Sequence, residues 1–130
     1  MNVIIIFLKY FRANGNKKIQ KRSEILGEIS KQSKCIAIAG THGKTTTTAI
    51  ISHLFHSSGI HFKAFIGGIM KCFDSNYINT GNDFILVEAD EYDRSFLNLN
   101  PNYAVITSIE SDHLDIYGDY KSLSESFQLF

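Results

Sequence analysis

The sequence of 130 residues contains one proline, nine glycines and two cysteines, and its 13 Lys and Arg cancel its 13 Asp and Glu. Each scarcity excludes a class. So little Pro and Gly rules out collagen-like chains and proline-rich linkers. Cys35 and Cys72 lie far apart and form no CxxC, which argues against a disulfide framework and fits reduced thiols in the cytoplasm. Zero net charge argues against a general nucleic-acid binder, which needs a basic face to neutralise phosphates. With 44% apolar residues, it argues against disorder as well. The longest apolar run, residues 3–8, is far short of the ~20 residues of a membrane span, and no basic segment precedes it as in an export signal. The expectation is a single cytoplasmic domain with neither nucleic-acid nor membrane partners.

What is present is an alternation of strand and helix patterns. Residues 1–20 fit no recognisable unit: an apolar start runs into a turn or connector around Asn14-Gly15-Asn16. Residues 22–31 read as an amphipathic helix with Ile25, Leu26 and Ile29 on one face and Ser23 as a candidate cap. Gly27 inside it costs ~1 kcal/mol relative to Ala. Cys35-Ile36-Ala37-Ile38-Ala39 reads as a strand buried on both faces. Residues 45–57 read as a helix with Ile50, Ile51, Leu54 and Phe55 as its apolar face, ended by Gly59. Residues 62–66, 84–87 and 103–106 are further strands, and 70–83 a long loop. Residues 112–119 read as loop, and Ser122 with Glu125 as a capping box opening a last helix. With no hairpin signals, the pattern predicts an α/β fold with a mostly parallel sheet and flanking helices. One short final helix is thin cover for such a sheet, so the chain is expected to be part of a larger protein.

The chemistry concentrates at three strand ends. The first is Gly40-Thr41-His42-Gly43-Lys44-Thr45-Thr46, where a buried strand enters a Gly-bounded turn and then a helix. That is the context of a phosphate-binding loop: backbone N–H groups and the helix dipole face an anion, Lys44 meets the outer phosphates, and the Thr45 hydroxyl ligates Mg²⁺. The strict GxxxxGK[ST] pattern needs Gly where Ile38 stands, so this is a shorter variant, GxxGKTT; an ordinary strand-to-helix turn is the plainer alternative. Four consecutive threonines, Thr45 to Thr48, give up on the order of 2 kcal/mol of helix propensity, a local cost expected at a functional site.

The second end is Phe84 to Asp93, a strand closed by carboxylates. In a parallel sheet this end shares an edge with the phosphate loop, which makes Glu88 a candidate Mg²⁺ ligand. Asp90, Glu91 and Asp93 are candidate assistants, although a solvated acidic loop is the plainer reading of Glu91 and Asp93. The third is Tyr103 to Asp115, where His113 with Asp112 or Asp115 is a candidate second metal site. His53, His56 and His61 read as surface histidines.

These residues, together with Gly67-Gly68, Arg94-Ser95-Phe96 and Asp112-His113-Leu114-Asp115-Ile116-Tyr117-Gly118, resemble the central ATP-binding domain of the Mur ligases, the amide-forming enzymes of peptidoglycan synthesis. The likeness spans 21–130 and implies a part of that domain, with a P-loop-type α/β fold. It implies that ATP phosphates lie on Gly40 to Thr46, that Lys44 stabilises the transferring phosphoryl group, and that Thr45, Glu88 and His113 hold Mg²⁺. Lys44, Glu88 and His113 are then the catalytic set. The acidic block followed by Arg-Ser-Phe-Leu is most like the alanine-adding branch, which implies UDP-N-acetylmuramate and L-alanine as substrates and an acyl phosphate between them. The murein-peptide recycling branch shares the loop and stays open, as do a self-sufficient P-loop NTPase and a non-enzymatic nucleotide-binding module. Ser108 stands where many family members have Asn.

Overall fold

A computed structural model describes residues 20–111 and 114–130, apart from the side chains of Asp93 and Leu114. The apolar run at residues 3–8, and Asp112 and His113, lie outside the described residues. In chain order the elements are α1 (Arg22–Ser30), β1 (Lys34–Ala39), α2 (Lys44–Ser57), β2 (Phe62–Met70), β3 (Ser75–Asn79), β4 (Phe84–Glu88), a 3-10 helix η1 (Tyr92–Asn98), β5 (Tyr103–Ile106), α3 (Leu114–Tyr117) and α4 (Tyr120–Leu129).

The five strands lie in the order β3-β2-β4-β1-β5. β1 pairs in parallel with β4, from Lys34 opposite Phe84 to Ile38 opposite Glu88, and with β5, from Ile36 opposite Tyr103 to Ala39 opposite Ile106. β2 pairs in parallel with β4 from Phe62 opposite Phe84 to Phe65 opposite Val87. The common register brings the carboxyl ends of β1, β2, β4 and β5 to one edge, where open parallel sheets place ligands.

Both faces are covered. Ile25, Leu26 and Ile29 of α1 pack with Val87, Phe96 and Phe127 on one side. On the other, Ile51 and Phe55 of α2 close over Phe62, Ala64 and Leu86. The central strands β1 and β4 therefore carry continuous apolar runs, residues 35–39 and 84–87, as two-sided burial requires.

The structure corrects the sequence expectations in several places. Residues 70–83 hold a hairpin: β3 runs antiparallel to β2, and Tyr77 packs its ring 5.1 Å from that of Phe65. The turn forms without Gly or Pro because Asp74 takes a left-handed conformation (φ 46°) and Phe73 N–H reaches Met70 O at 3.1 Å. β2 also runs on through Gly67-Gly68 to Met70. On α2 the inward line is Thr48 and Ser52, while Ile50 and Leu54 are exposed. The hydroxyls of Thr48 and Ser52 each bond the carbonyl four residues earlier at 2.8 Å, so small polar side chains are buried without an unmet donor and the helix can approach the sheet. The last helix is capped by Asp119, whose carboxylate accepts Ser122 N–H at 2.7 Å, and α1 by Glu24, which accepts Lys21 N–H at 2.9 Å. The acidic stretch after β4 runs into η1, and the expected loop after residue 111 contains α3.

Gly27 is explained by close packing. A Cβ there would strike the carbonyl oxygen of Asn98 at the end of η1. Gly27→Ala should therefore lower stability by about 1–3 kcal/mol, the range for overpacking, despite a helix-propensity gain of ~1 kcal/mol; urea unfolding measures it, and an unchanged or raised midpoint would contradict the packing. Both cysteines are free, with Cys35 buried and Cys72 exposed. Burial pushes the Cys35 thiol up to about 11. A thiol reagent at neutral pH should thus modify one cysteine in the folded chain and two in denaturant.

Candidate functional site

The turn between β1 and α2 follows from its glycines. Gly40 has φ 130° and lies so close to Thr107 that a Cβ would collide with its hydroxyl oxygen. Gly43 (φ 84°) turns the chain into α2, whose first residue is Lys44. Thr47 N–H makes the first bond back along the helix, to Gly43 O at 2.9 Å. The amides ahead of it, from Gly43 to Thr46, are the set that a helix N-terminus presents to an anion.

The other end of the turn is held by the segment after β5. Thr41 N–H donates to Ser108 O and His42 N–H to Ser108 Oγ, both at 3.0 Å. Thr107 Oγ1 bonds the carbonyl of His42 at 2.5 Å, and Glu110 N–H donates to Thr41 Oγ1 at 2.9 Å. The expected anion contacts thus divide. Gly43, Lys44, Thr45 and Thr46 stand at the helix start, whereas the Thr41 and His42 amides point to residue 108 and shape the loop. Ser108, noted only for replacing Asn, supplies both of those acceptors. The imidazole of His42 is exposed, 3.6 Å from the Glu110 carboxylate.

Two carboxylates from the exit of β4 meet the loop. Glu88 accepts the Thr45 hydroxyl at 2.7 Å on one oxygen and Gly67 N–H at 2.7 Å on the other. A Cβ on Gly67 would stand 3.0 Å from the Glu88 carboxylate, so glycine there lets β2 approach it. Hydroxyl and carboxylate oxygens side by side are the hard donors that Mg²⁺ takes at phosphate sites. The donor set fits that ion, with the remaining positions left to phosphate and water. Among the described residues no group of three or more His, Cys, Asp and Glu could hold a metal. Asp90 is exposed and accepts Tyr92 N–H at 3.1 Å, and Asp115 is exposed on α3.

The largest departure is Glu91. Far from lying in a solvated loop, it is 2% exposed, and its two oxygens take Lys44 Nζ at 2.9 and 2.7 Å. Lys44 Nζ also donates to Gly40 O at 2.6 Å. Tyr117 of α3 donates its hydroxyl to Glu91 O at 2.5 Å. Burial and the negative Glu91 raise the Tyr117 phenol above its ordinary value, which keeps it a donor. No local signal in the acidic stretch distinguishes Glu91 from its neighbours, because its partner lies 47 residues earlier. His53, His56 and His61 are exposed, as expected.

The chain is similar to known proteins in sequence and in fold. The chain is 52% identical over 120 residues to a UDP-N-acetylmuramate--L-alanine ligase of Christiangramia forsetii, and 50% over 124 residues to that of Parabacteroides distasonis. The matches cover 92% and 95% of this chain but 26% and 27% of those proteins, so it spans about a quarter of their length. Among solved structures, UDP-N-acetylmuramate-alanine ligase from Thermotoga maritima superposes with a TM-score of 0.70 at 32% identity, covering 81% of this chain and 24% of that one. UDP-N-acetylmuramate:L-alanyl-gamma-D-glutamyl-meso-diaminopimelate ligase from Neisseria meningitides gives 0.76 at 25% identity, covering 99% and 45%. The family model described as the Mur ligase middle domain matches residues 38–130, from the end of β1 through the phosphate loop to α4. On that match the chain belongs to the Mur ligase family and carries a middle domain of that family.

Proposed function

We propose that this chain is the nucleotide-binding portion of an ATP-dependent ligase that joins L-alanine to UDP-N-acetylmuramate in the cytoplasm. The observation that carries the reading is the Lys44-Thr45 pair at the start of α2, with the Thr45 hydroxyl 2.7 Å from Glu88. An ammonium, a row of helix-start amides and a hydroxyl–carboxylate pair share one sheet edge. Phosphoryl transfer asks for that kind of positioning and charge neutralisation rather than covalent help.

In this reading Gly43 to Thr46 receive the triphosphate, and Lys44 offsets the charge that builds on the transferring group. Thr45 and Glu88 would hold Mg²⁺, with His113 as a further ligand, and the ion would supply charge neutralisation. That carboxylate attacks the terminal phosphorus and ADP leaves. The alanine amine then attacks the acyl phosphate and phosphate leaves. Beside Glu88 a cleft of about 250 Å³ runs between the start of α1 and η1, with Lys21, Arg22, Ser23, Asp90 and Ser95 in its wall. Its basic residues suit an incoming acid. The murein-peptide branch is the second reading, supported by the Neisseria structure, which matches nearly the full chain. Supplying the whole protein with alanine or with a tripeptide separates them by which product forms.

The chain by itself should bind MgATP in calorimetry without forming UDP-N-acetylmuramoyl-L-alanine; ligation by the isolated chain would refute its assignment as a portion of the enzyme. Thr45→Ala should weaken MgATP binding by about tenfold while leaving Mg²⁺-free binding nearly unchanged, since the lost hydroxyl serves the metal and Glu88 rather than the phosphates directly. Lys44→Met should lose MgATP binding and also destabilise the fold by about 3–5 kcal/mol, because it leaves Glu91 buried without its cation. Adding Glu91→Gln to Lys44→Met should restore the melting temperature and leave nucleotide binding absent. Recovery of binding in that double variant would remove Lys44 from the site.

A further inference from the structure

We propose that Glu91 is a positioning residue that holds the Lys44 ammonium over the phosphate loop and makes the loop reject a triphosphate carrying no divalent cation. This rests on the nucleotide-binding reading and adds a role for a residue outside the catalytic set. A lysine ammonium has three N–H donors. Here they are shared among Gly40 O at 2.6 Å, the two Glu91 oxygens at 2.7 and 2.9 Å, and a long contact to Thr41 O at 3.5 Å. A phosphate oxygen can bind Lys44 only by displacing one of these acceptors. Gly40 O and Thr41 O belong to the loop itself, so the exchangeable acceptor outside it is a Glu91 oxygen. Glu91 cannot swing away into solvent. It is 2% exposed, Ala89 two residues earlier is buried just past β4, and its own carbonyl is held by the Tyr117 hydroxyl and by Arg94 N–H at 3.0 Å.

An entering phosphate therefore shares Lys44 with a fixed, buried negative charge. Glu88 adds a second carboxylate on the Thr45 side. Lys44 is bonded to Glu91, and Glu88 to Thr45 and Gly67, so a bare triphosphate arriving at the loop meets two carboxylates. A divalent cation supplies positive charge at Thr45 and Glu88, and the ammonium can then serve phosphate and Glu91 together. The same contact keeps the long Lys44 side chain ordered before nucleotide arrives, so little rotamer freedom remains to be lost on binding.

The test compares ATP binding to the wild-type chain and to Glu91→Gln, with Mg²⁺ and with EDTA, after circular dichroism has established that each is folded. Glu91→Gln keeps an acceptor for Lys44 and removes the charge. It should bind ATP in EDTA at least tenfold more tightly than wild type, with MgATP affinity changed less than threefold. A structural defect would weaken both conditions alike, and that result, or equal affinities in EDTA, overturns the proposal. If the wild-type chain binds no MgATP, the nucleotide reading itself fails, which is a different outcome from a wild type that binds and a variant that matches it. Should Glu91→Gln not fold, Glu91→Asp decides by amine acylation followed by mass spectrometry. Its carboxylate keeps the charge but stands one methylene farther from Nζ, so Lys44 should react several-fold faster than in wild type while ATP in EDTA stays excluded. Unchanged Lys44 reactivity, or entry of bare ATP, overturns the proposal.

Discussion

A buried carboxylate and a nearly buried ammonium tolerate one another's company and little else. Lys44 and Glu91 lie out of water at 2.7 Å, with Lys44 at 16% and Glu91 at 2% side-chain exposure. Withdrawing either partner leaves a charge that the surroundings cannot solvate. The pair therefore fixes the start of α2 to the exit of β4, and through the Glu91 carbonyl it reaches Tyr117 on α3. Three segments far apart in sequence share one geometry because one ion pair has nowhere else to go.

Around that constraint the sheet arranges the rest by register alone. Parallel pairing of β1 with β4 sets Ile38 beside Glu88, so the carboxylate leaves its strand where the phosphate loop begins. β2 delivers Gly67 N–H to the same carboxylate, and the exit of β5 delivers Thr107 and Ser108 to the other side of the loop. The loop is thus braced from both flanks before any ligand is considered. Such bracing matters because donors aimed in advance avoid reorganisation when charge develops.

Much of this was legible in the residues. Ile36 to Ala39 followed by Gly, and Phe84 to Val87 followed by Glu, are continuous apolar runs that end abruptly in chemistry, and two-sided burial produces that pattern directly. Other parts were hidden for identifiable reasons. β3 is an edge strand with Ile78 as its buried apolar residue, so its segment carries too weak a period to separate it from loop. The inward line of α2 uses Thr48 and Ser52, which look polar in sequence and are satisfied only by back-bonding within the helix. Glu91 sits among Glu88, Asp90 and Asp93, and nothing local marks the one that turns inward. Ser108 was legible as a departure from its relatives but not as a double acceptor, since that role depends on the crossing of two loops. Residues whose meaning is local could be read, whereas those whose meaning is a partner across the sheet could not.

Among the described strands β5 is the outermost on one side of the sheet. Among the described residues it pairs with β1 only, and both Tyr103 and Ile106 stand open to solvent. Its outer peptide groups form an unfilled rung to which another strand can be added, whether from elsewhere in a longer polypeptide or from a neighbouring molecule. The chain's behaviour at high concentration is thereby tied to this border: a strand laid along it would tighten the support behind Thr107, and an unwanted guest there would tug on the phosphate loop from behind.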